Sequence, residues 1–61
     1  MIFKDLAGDT ATLQLHEDYL EIVVQAGSQR LRMQFDKETA EELGLGISEL
    51  ADKLEVHHDG S

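Results

Sequence analysis

The sequence predicts an α+β fold, a three-stranded antiparallel β-meander packed on a C-terminal helix. Three observations carry that expectation. The stretch from Thr10 to Phe35 falls into three blocks that alternate apolar and polar residues with the period of two of a half-buried strand. The blocks are separated by Glu17-Asp18 and Gly27-Ser28, the length of the commonest hairpin connection. Beyond Asp36 the apolar residues recur at spacings of three and four, the period of a helix.

The strands justify one another through register. With Gly27-Ser28 as a two-residue turn, Val24 faces Leu31, Ile22 faces Met33 and Leu20 faces Phe35. With Glu17-Asp18 as the other turn, Leu15 faces Leu20, Leu13 faces Ile22 and Ala11 faces Val24. One register therefore gives all three strands a shared apolar face, the agreement between levels expected of a foldable sequence. Neither Glu17 nor Asp18 enters positive φ as readily as Gly or Asn, so a four-residue loop is the alternative there. The second face carries Thr10, Thr12, Gln14 and His16, then Tyr19, Glu21, Val23 and Gln25, then Arg30, Arg32 and Gln34. Glu21 lies opposite Gln34 and diagonal to Arg32, an ordinary sheet-stabilising arrangement.

The segment before the sheet, Met1 to Asp9, carries Ile2, Phe3 and Leu6 and ends in a Gly8-Asp9 turn signal. It either adds a short fourth strand or lays Phe3 and Leu6 over an edge of the core; the covering role is preferred. After the sheet, Asp36 is a favoured N-cap, with Phe35 and Ala40 placed as a small hydrophobic staple. Ala40, Leu43, Ile47, Leu50, Ala51 and Leu54 form the stripe expected to cover the sheet. Gly44 and Gly46 each cost roughly 1 kcal/mol in a helix interior. Either one bent helix runs from Lys37 to about Leu54, or a first helix ends at Leu43 with Gly44 as its left-handed C′ residue and a second starts with Ser48 as N-cap. The stripe stays in phase across both glycines, which favours one helix.

The expected core is Ala11, Leu13, Leu15, Leu20, Ile22, Val24, Leu31, Met33 and Phe35 from the sheet together with the helix stripe, with Phe3 and Leu6 at its margin. Residues 1–55 are read as one domain and 56–61 as a flexible tail. A chain of 61 residues buries only roughly 60% of the surface its unfolded form exposes, so its stability is marginal without a partner. It has no Cys, which removes disulfides, thiolate nucleophiles and Cys-ligated zinc and favours a cytoplasmic setting. No apolar run reaches the roughly 18 residues of a membrane span, and the start is too short and too soon acidic for a signal peptide.

Thirteen acidic against five basic residues give a net charge of -8. That charge opposes direct binding of nucleic acid and of anionic membrane, and suits a basic protein partner. The helix surface opposite the stripe carries Glu38, Glu41, Glu42, Glu49, Asp52 and Glu55 over about 26 Å. Such a run imitates a stretch of phosphate backbone, and Leu45 within it is an apolar anchor framed by carboxylates. As a plain alternative, the run is a solvated helix face. On the second sheet face Tyr19, Val23, Arg30 and Arg32 form a second candidate contact patch, because Tyr and Arg are enriched where interfaces are tight. Its plain alternative is a solvated sheet face.

The chemistry of catalysis finds little to work with. No nucleophile is spaced to meet a base, and Gly44-Leu45-Gly46 lacks the third glycine of a dinucleotide loop. His57 and His58 are adjacent and share no face of a regular element, and His16 reads as an ordinary surface histidine, so no metal site is expected. Neither cofactor nor enzymatic activity is expected. The run Ala40-Glu41-Glu42-Leu43-Gly44-Leu45 followed by Ile47-Ser48-Glu49-Leu50-Ala51-Asp52-Lys53-Leu54 resembles the first helices of helix-turn-helix and ribbon-helix-helix regulators. The chain ends where a recognition helix would be needed and is acidic where those proteins are basic, so no DNA contact carries over.

The function expected is a small acidic protein-binding module, an inhibitor or regulator of the kind phages and mobile elements encode, which occludes a basic surface on a partner. The alternative is a structural subunit that self-associates through sheet edges into a homodimer, with the first strand as seam because Arg30 and Arg32 protect the last. A nucleic-acid-associated regulator ranks third.

Overall fold

The computed structural model describes residues 1–55. The residues read as a tail, His57 and His58 among them, lie outside the described residues. Four strands, β1 (Ile2–Lys4), β2 (Thr10–Leu15), β3 (Leu20–Ala26) and β4 (Gln29–Phe35), precede one helix, α1 (Lys37–Asp52). The strands form a single antiparallel sheet in chain order. The fold is α+β.

Register follows the alternation. Ala11, Leu13 and Leu15 stand opposite Val24, Ile22 and Leu20, and Leu20, Ile22 and Val24 stand opposite Phe35, Met33 and Leu31. Gly27 takes φ of 60° while Ser28 does not enter positive φ, the pattern of a type II′ hairpin turn. Gln25 Nε2 donates to the Gly27 carbonyl at 2.9 Å and braces that turn. The β2–β3 connection differs. Among the described residues none other than glycine takes a positive φ, so Glu17-Asp18 makes no primed turn. The strands stop at Leu15 and resume at Leu20, and the His16 N–H donates to the Tyr19 carbonyl at 2.9 Å inside the wider loop.

The N-terminal segment corrects the three-stranded expectation. It pairs with β2 as a fourth strand, Ile2 opposite Thr12 and Phe3 opposite Ala11. Asp5 makes the reversal that permits this. Its Oδ1 accepts from the Ala7 and Asp9 N–H groups at 2.9 and 2.8 Å, and its own N–H donates to the Asp9 carbonyl at 2.9 Å. The Leu13 N–H donates to the Met1 carbonyl at 2.8 Å, carrying the pairing to the first residue. Strand β2 is therefore interior, and the seam expected along it is closed by β1.

The helix is a single one. Asp36 caps it, with Oδ1 accepting from the Thr39 N–H at 2.8 Å, and α1 runs through Gly44 and Gly46 without interruption. At its end the Lys53 and Leu54 N–H groups donate to the Leu50 and Ala51 carbonyls, both at 3.1 Å, and tighten the last turn.

Its placement overturns the expected packing. One residue, Asp36, joins β4 to α1, and its backbone is extended (φ -72°, ψ 174°). Connections that fold a helix back onto its sheet commonly take about two to six residues. The helix instead leaves in the direction of the strand, and its main contact is with β4. The molecule is 46 Å long, close to the sum of a seven-residue strand (about 23 Å) and a sixteen-residue helix (about 24 Å) laid end to end. Its Cα radius of gyration is 14.2 Å, where a compact chain of this length has about 10.5 Å.

The expected core is consequently open. On the apolar sheet face Met33, Leu31 and Leu15 are 46%, 58% and 87% exposed, while Leu13, Leu20, Ile22, Val24 and Phe35 are half-buried; on the helix Ala40 and Leu43 are half-buried, Ile47 and Leu50 are exposed, and so is Leu54 just beyond the helix end. Among the described residues the buried ones are Val23 and Glu21, both on the polar face.

Replacing Gly27 by Ala would place a side chain at φ of 60°, where open space around the added Cβ does not relieve backbone strain. Gly27→Ala is expected to lower stability in urea denaturation by about 1 kcal/mol or more. Asp36→Ala removes the N-cap and is expected to lower helical circular dichroism at neutral pH, with the sheet register unchanged.

Candidate protein-binding surfaces

The polar sheet face is organised by one carboxylate. Glu21 sits on β3 between strands whose long side chains reach across it, and only 2% of it is exposed. Its Oε2 accepts from Arg32 Nε at 3.0 Å and from Nη2 at 2.6 Å, while Oε1 lies 3.3 Å from His16 Nε2. The His16 ring stacks on Tyr19, centroids 4.4 Å apart and planes 16° from parallel. Antiparallel register places these groups: Arg32 is diagonal to Glu21 on β4, and His16 and Tyr19 flank the β2–β3 loop one step from the Leu15–Leu20 pair.

Arg32 holds the Glu21 carboxyl below its ordinary range, with His16 and Gln34 adding to that effect and burial opposing it. Glu21 in turn raises the Arg32 guanidinium. Asp36 is also lowered, by the Thr39 hydrogen bonds at the helix start. A carboxylate held ionised by a forked guanidinium is a poor general acid at neutral pH. The cluster orders the face.

The four sheet residues singled out in the sequence do not form one patch. Tyr19 and Arg32 meet around Glu21. Val23, expected to stand on an open face, is 8% exposed, because it lies on an interior strand between Thr12 and Arg32 and beside Glu21. Arg30 lies further along β4, opposite Gln25 and near the turn, and is exposed. The Glu21–Arg32 contact was legible as a diagonal pair; His16 was not, because its approach depends on the shape of the wider loop.

On the helix, Glu38, Glu41, Glu42, Glu49 and Asp52 are all exposed, and Leu45 among them is 70% exposed. Among the described residues, none of these five carboxylates has a basic partner within ion-pair distance. At 100° per residue they centre on the side of α1 opposite Ala40, Leu43, Ile47, Leu50, Ala51 and Leu54. The helix therefore offers an acidic surface and an apolar surface, back to back.

An open groove joins sheet and helix. Leu15, Leu20 and Ala40 line it, with Asp36, Lys37 and Glu41 from the helix start and His16, Glu17, Asp18 and Tyr19 from the loop. Leu15 and Leu20 belong to the apolar sheet face and Ala40 to the helix stripe, so the near ends of the two apolar surfaces meet in this groove. Among the described residues no three His, Asp or Glu side chains are grouped to hold a metal ion, and no helix is long and apolar enough to cross a membrane. Comparison with protein-family models, with curated proteins and with solved structures finds no match to this chain.

The Glu21 cluster makes stability depend on pH with a definite sign. A carboxyl whose folded pKa lies below its unfolded value stabilises the fold above the unfolded pKa, near 4.5, and loses that contribution as pH falls through the folded value. Denaturant midpoints are expected to fall between neutral pH and pH about 3. Glu21→Gln should flatten that acid limb while lowering stability at pH 7; Arg32→Gln should do the same.

Proposed function

We propose that this chain is a small acidic protein-binding module, an inhibitor or regulator without catalysis of its own, that occludes a basic surface on a partner protein. The observation that carries the reading is the set of five exposed helix carboxylates with no ion-pair partner among the described residues, on a helix standing clear of its sheet. Unpaired charge of one sign along about 21 Å of helix attracts a complementary surface at long range and orients it on approach. Leu45, exposed in the middle of that surface, supplies an apolar anchor whose burial strengthens the contact once charges have aligned it. Tyr19 and Arg32, ordered by Glu21, offer a second contact on the sheet. The absence of catalysis is supported by the same cluster, whose carboxylate is neutralised by Arg32.

A second reading, a structural subunit that self-associates through sheet edges, is favoured by β4, which pairs with β3 alone and presents seven residues of free edge. Arg30 and Arg32 on that strand weigh against it.

Affinity capture at low and at moderate salt tests the acidic-surface reading. One basic protein should be retained at low salt and weakened by moderate salt. The variant carrying Glu41→Gln, Glu42→Gln, Glu49→Gln and Asp52→Asn should bind it about tenfold or more weakly. Full retention by that variant would exclude the acidic helix as the binding surface.

A further inference from the structure

The apolar sheet face and the apolar helix stripe are complementary surfaces that one chain cannot bring together. A single residue joins them without a reversal, and their near ends, Leu15 and Leu20 on the sheet and Ala40 on the helix, share one open groove of a body 46 Å long and 15 Å thick. We infer that the protein is a reciprocal homodimer in which α1 of each copy lies across the apolar sheet face of the other. This goes beyond binding of a basic partner and uses the opposite side of the helix.

The dimensions fit this occupant. The helix, about 24 Å, matches the β3 and β4 strands, about 23 Å. A copy turned by a two-fold axis through the β4–α1 junction sets helix over sheet and sheet over helix, and two single layers become the two-layer α/β body that buries an apolar face. Because both surfaces belong to the same chain, one symmetric contact covers both at once. A different protein would need its own helix and sheet in the same offset.

The area points the same way. The accessible surface is 5647 Å², whereas a folded monomer of 6.8 kDa exposes about 4,000 Å². Setting aside the largest area six residues can expose, about 1,000 Å², and comparing the other 55 with the about 3,700 Å² of a compact chain of their size leaves an excess of about 1,000 Å² per copy. Two copies would remove roughly 2,000 Å² or more, within the range of obligate homodimers.

The helix itself requires a cover. A sixteen-residue helix with two interior glycines is marginal in water without tertiary packing, and in this chain its stripe packs on little. The net charge of -8 on each copy repels at long range, but the helix carboxylates centre opposite the stripe and turn outward when it is covered, so none of that charge is desolvated at the contact. The acidic surface then appears twice, once on each side of the dimer.

Light scattering on the full chain at micromolar concentration should give a mass of about twice 6.8 kDa, and raising the salt should leave it a dimer, unlike any contact made by the acidic surface. Ile47 and Leu45 supply the matched pair of variants, since both are exposed in the single chain but lie on opposite sides of α1. Ile47→Glu should yield monomer with reduced helical signal, and Leu45→Glu should remain a dimer. The chain has no cysteine, so mixing Ile22→Cys with Ile47→Cys chains and adding a short bis-maleimide should link one of each. A monomeric wild type, dissociation by salt, or linking of Ile22→Cys only to itself would each overturn the reciprocal dimer. Loss of the basic partner in the charge-neutralised variant, with the dimer intact, bears on the acidic surface alone.

Discussion

The physical constraint on which the molecule depends is the burial of one apolar sheet face. Leu13, Ile22, Val24, Leu31 and Met33 are brought onto one side by strand register, and that side is only half-covered within one chain, with Leu31 and Met33 exposed. The helix carries the matching stripe but is attached by one extended residue. The connection is too short to turn α1 back, so the same junction that caps the helix also holds the two surfaces apart. Everything unusual in the dimensions of the molecule, its length, its thinness and its large surface, follows from that junction.

The polar face solves the opposite problem. A carboxylate in the middle of a four-stranded sheet is costly to desolvate unless its oxygens are bonded. Glu21 meets that requirement with a forked Arg32 on one oxygen and His16 on the other, and the His16–Tyr19 stack closes the loop side. The long side chains that bond Glu21 also cover it and Val23, so the face composed of polar residues is the better enclosed of the two within one chain. Amphipathic side chains bury their stems along their neighbours while their charged ends reach water, and Arg32 does so here.

The two sides of α1 would make the proposed assembly and the proposed partner binding compatible. In the inferred dimer, hydrophobic pairing would use the stripe and leave the carboxylates on the other side available to a basic surface. Because the first contact is apolar and the second electrostatic, salt separates them in sign, and neither depends on the other for its residues. Doubling the acidic surface on a two-fold dimer would also raise its avidity for a partner that is itself repeated.

Strand register, the two hairpin positions, the Asp36 cap and the single helix across Gly44 and Gly46 were legible in the sequence, because each rests on contacts a few residues apart or on periods of two and of three to four. The acidic and apolar sides of α1 and the diagonal Glu21–Arg32 pair were legible for the same reason. Three features were decided only by the tertiary structure. The N-terminal segment became a strand because the Asp5 carboxylate closes a tight reversal, a detail of side-chain geometry that three residues of alternation cannot announce. Val23 and Glu21 became the enclosed pair because Arg32 reaches Glu21 from β4 beside Val23 and His16 reaches Glu21 from the β2–β3 loop. The helix left the sheet uncovered because the direction of an element after its cap is set by the backbone of one joining residue, whereas an apolar pattern states only that a surface will be covered and not by which chain.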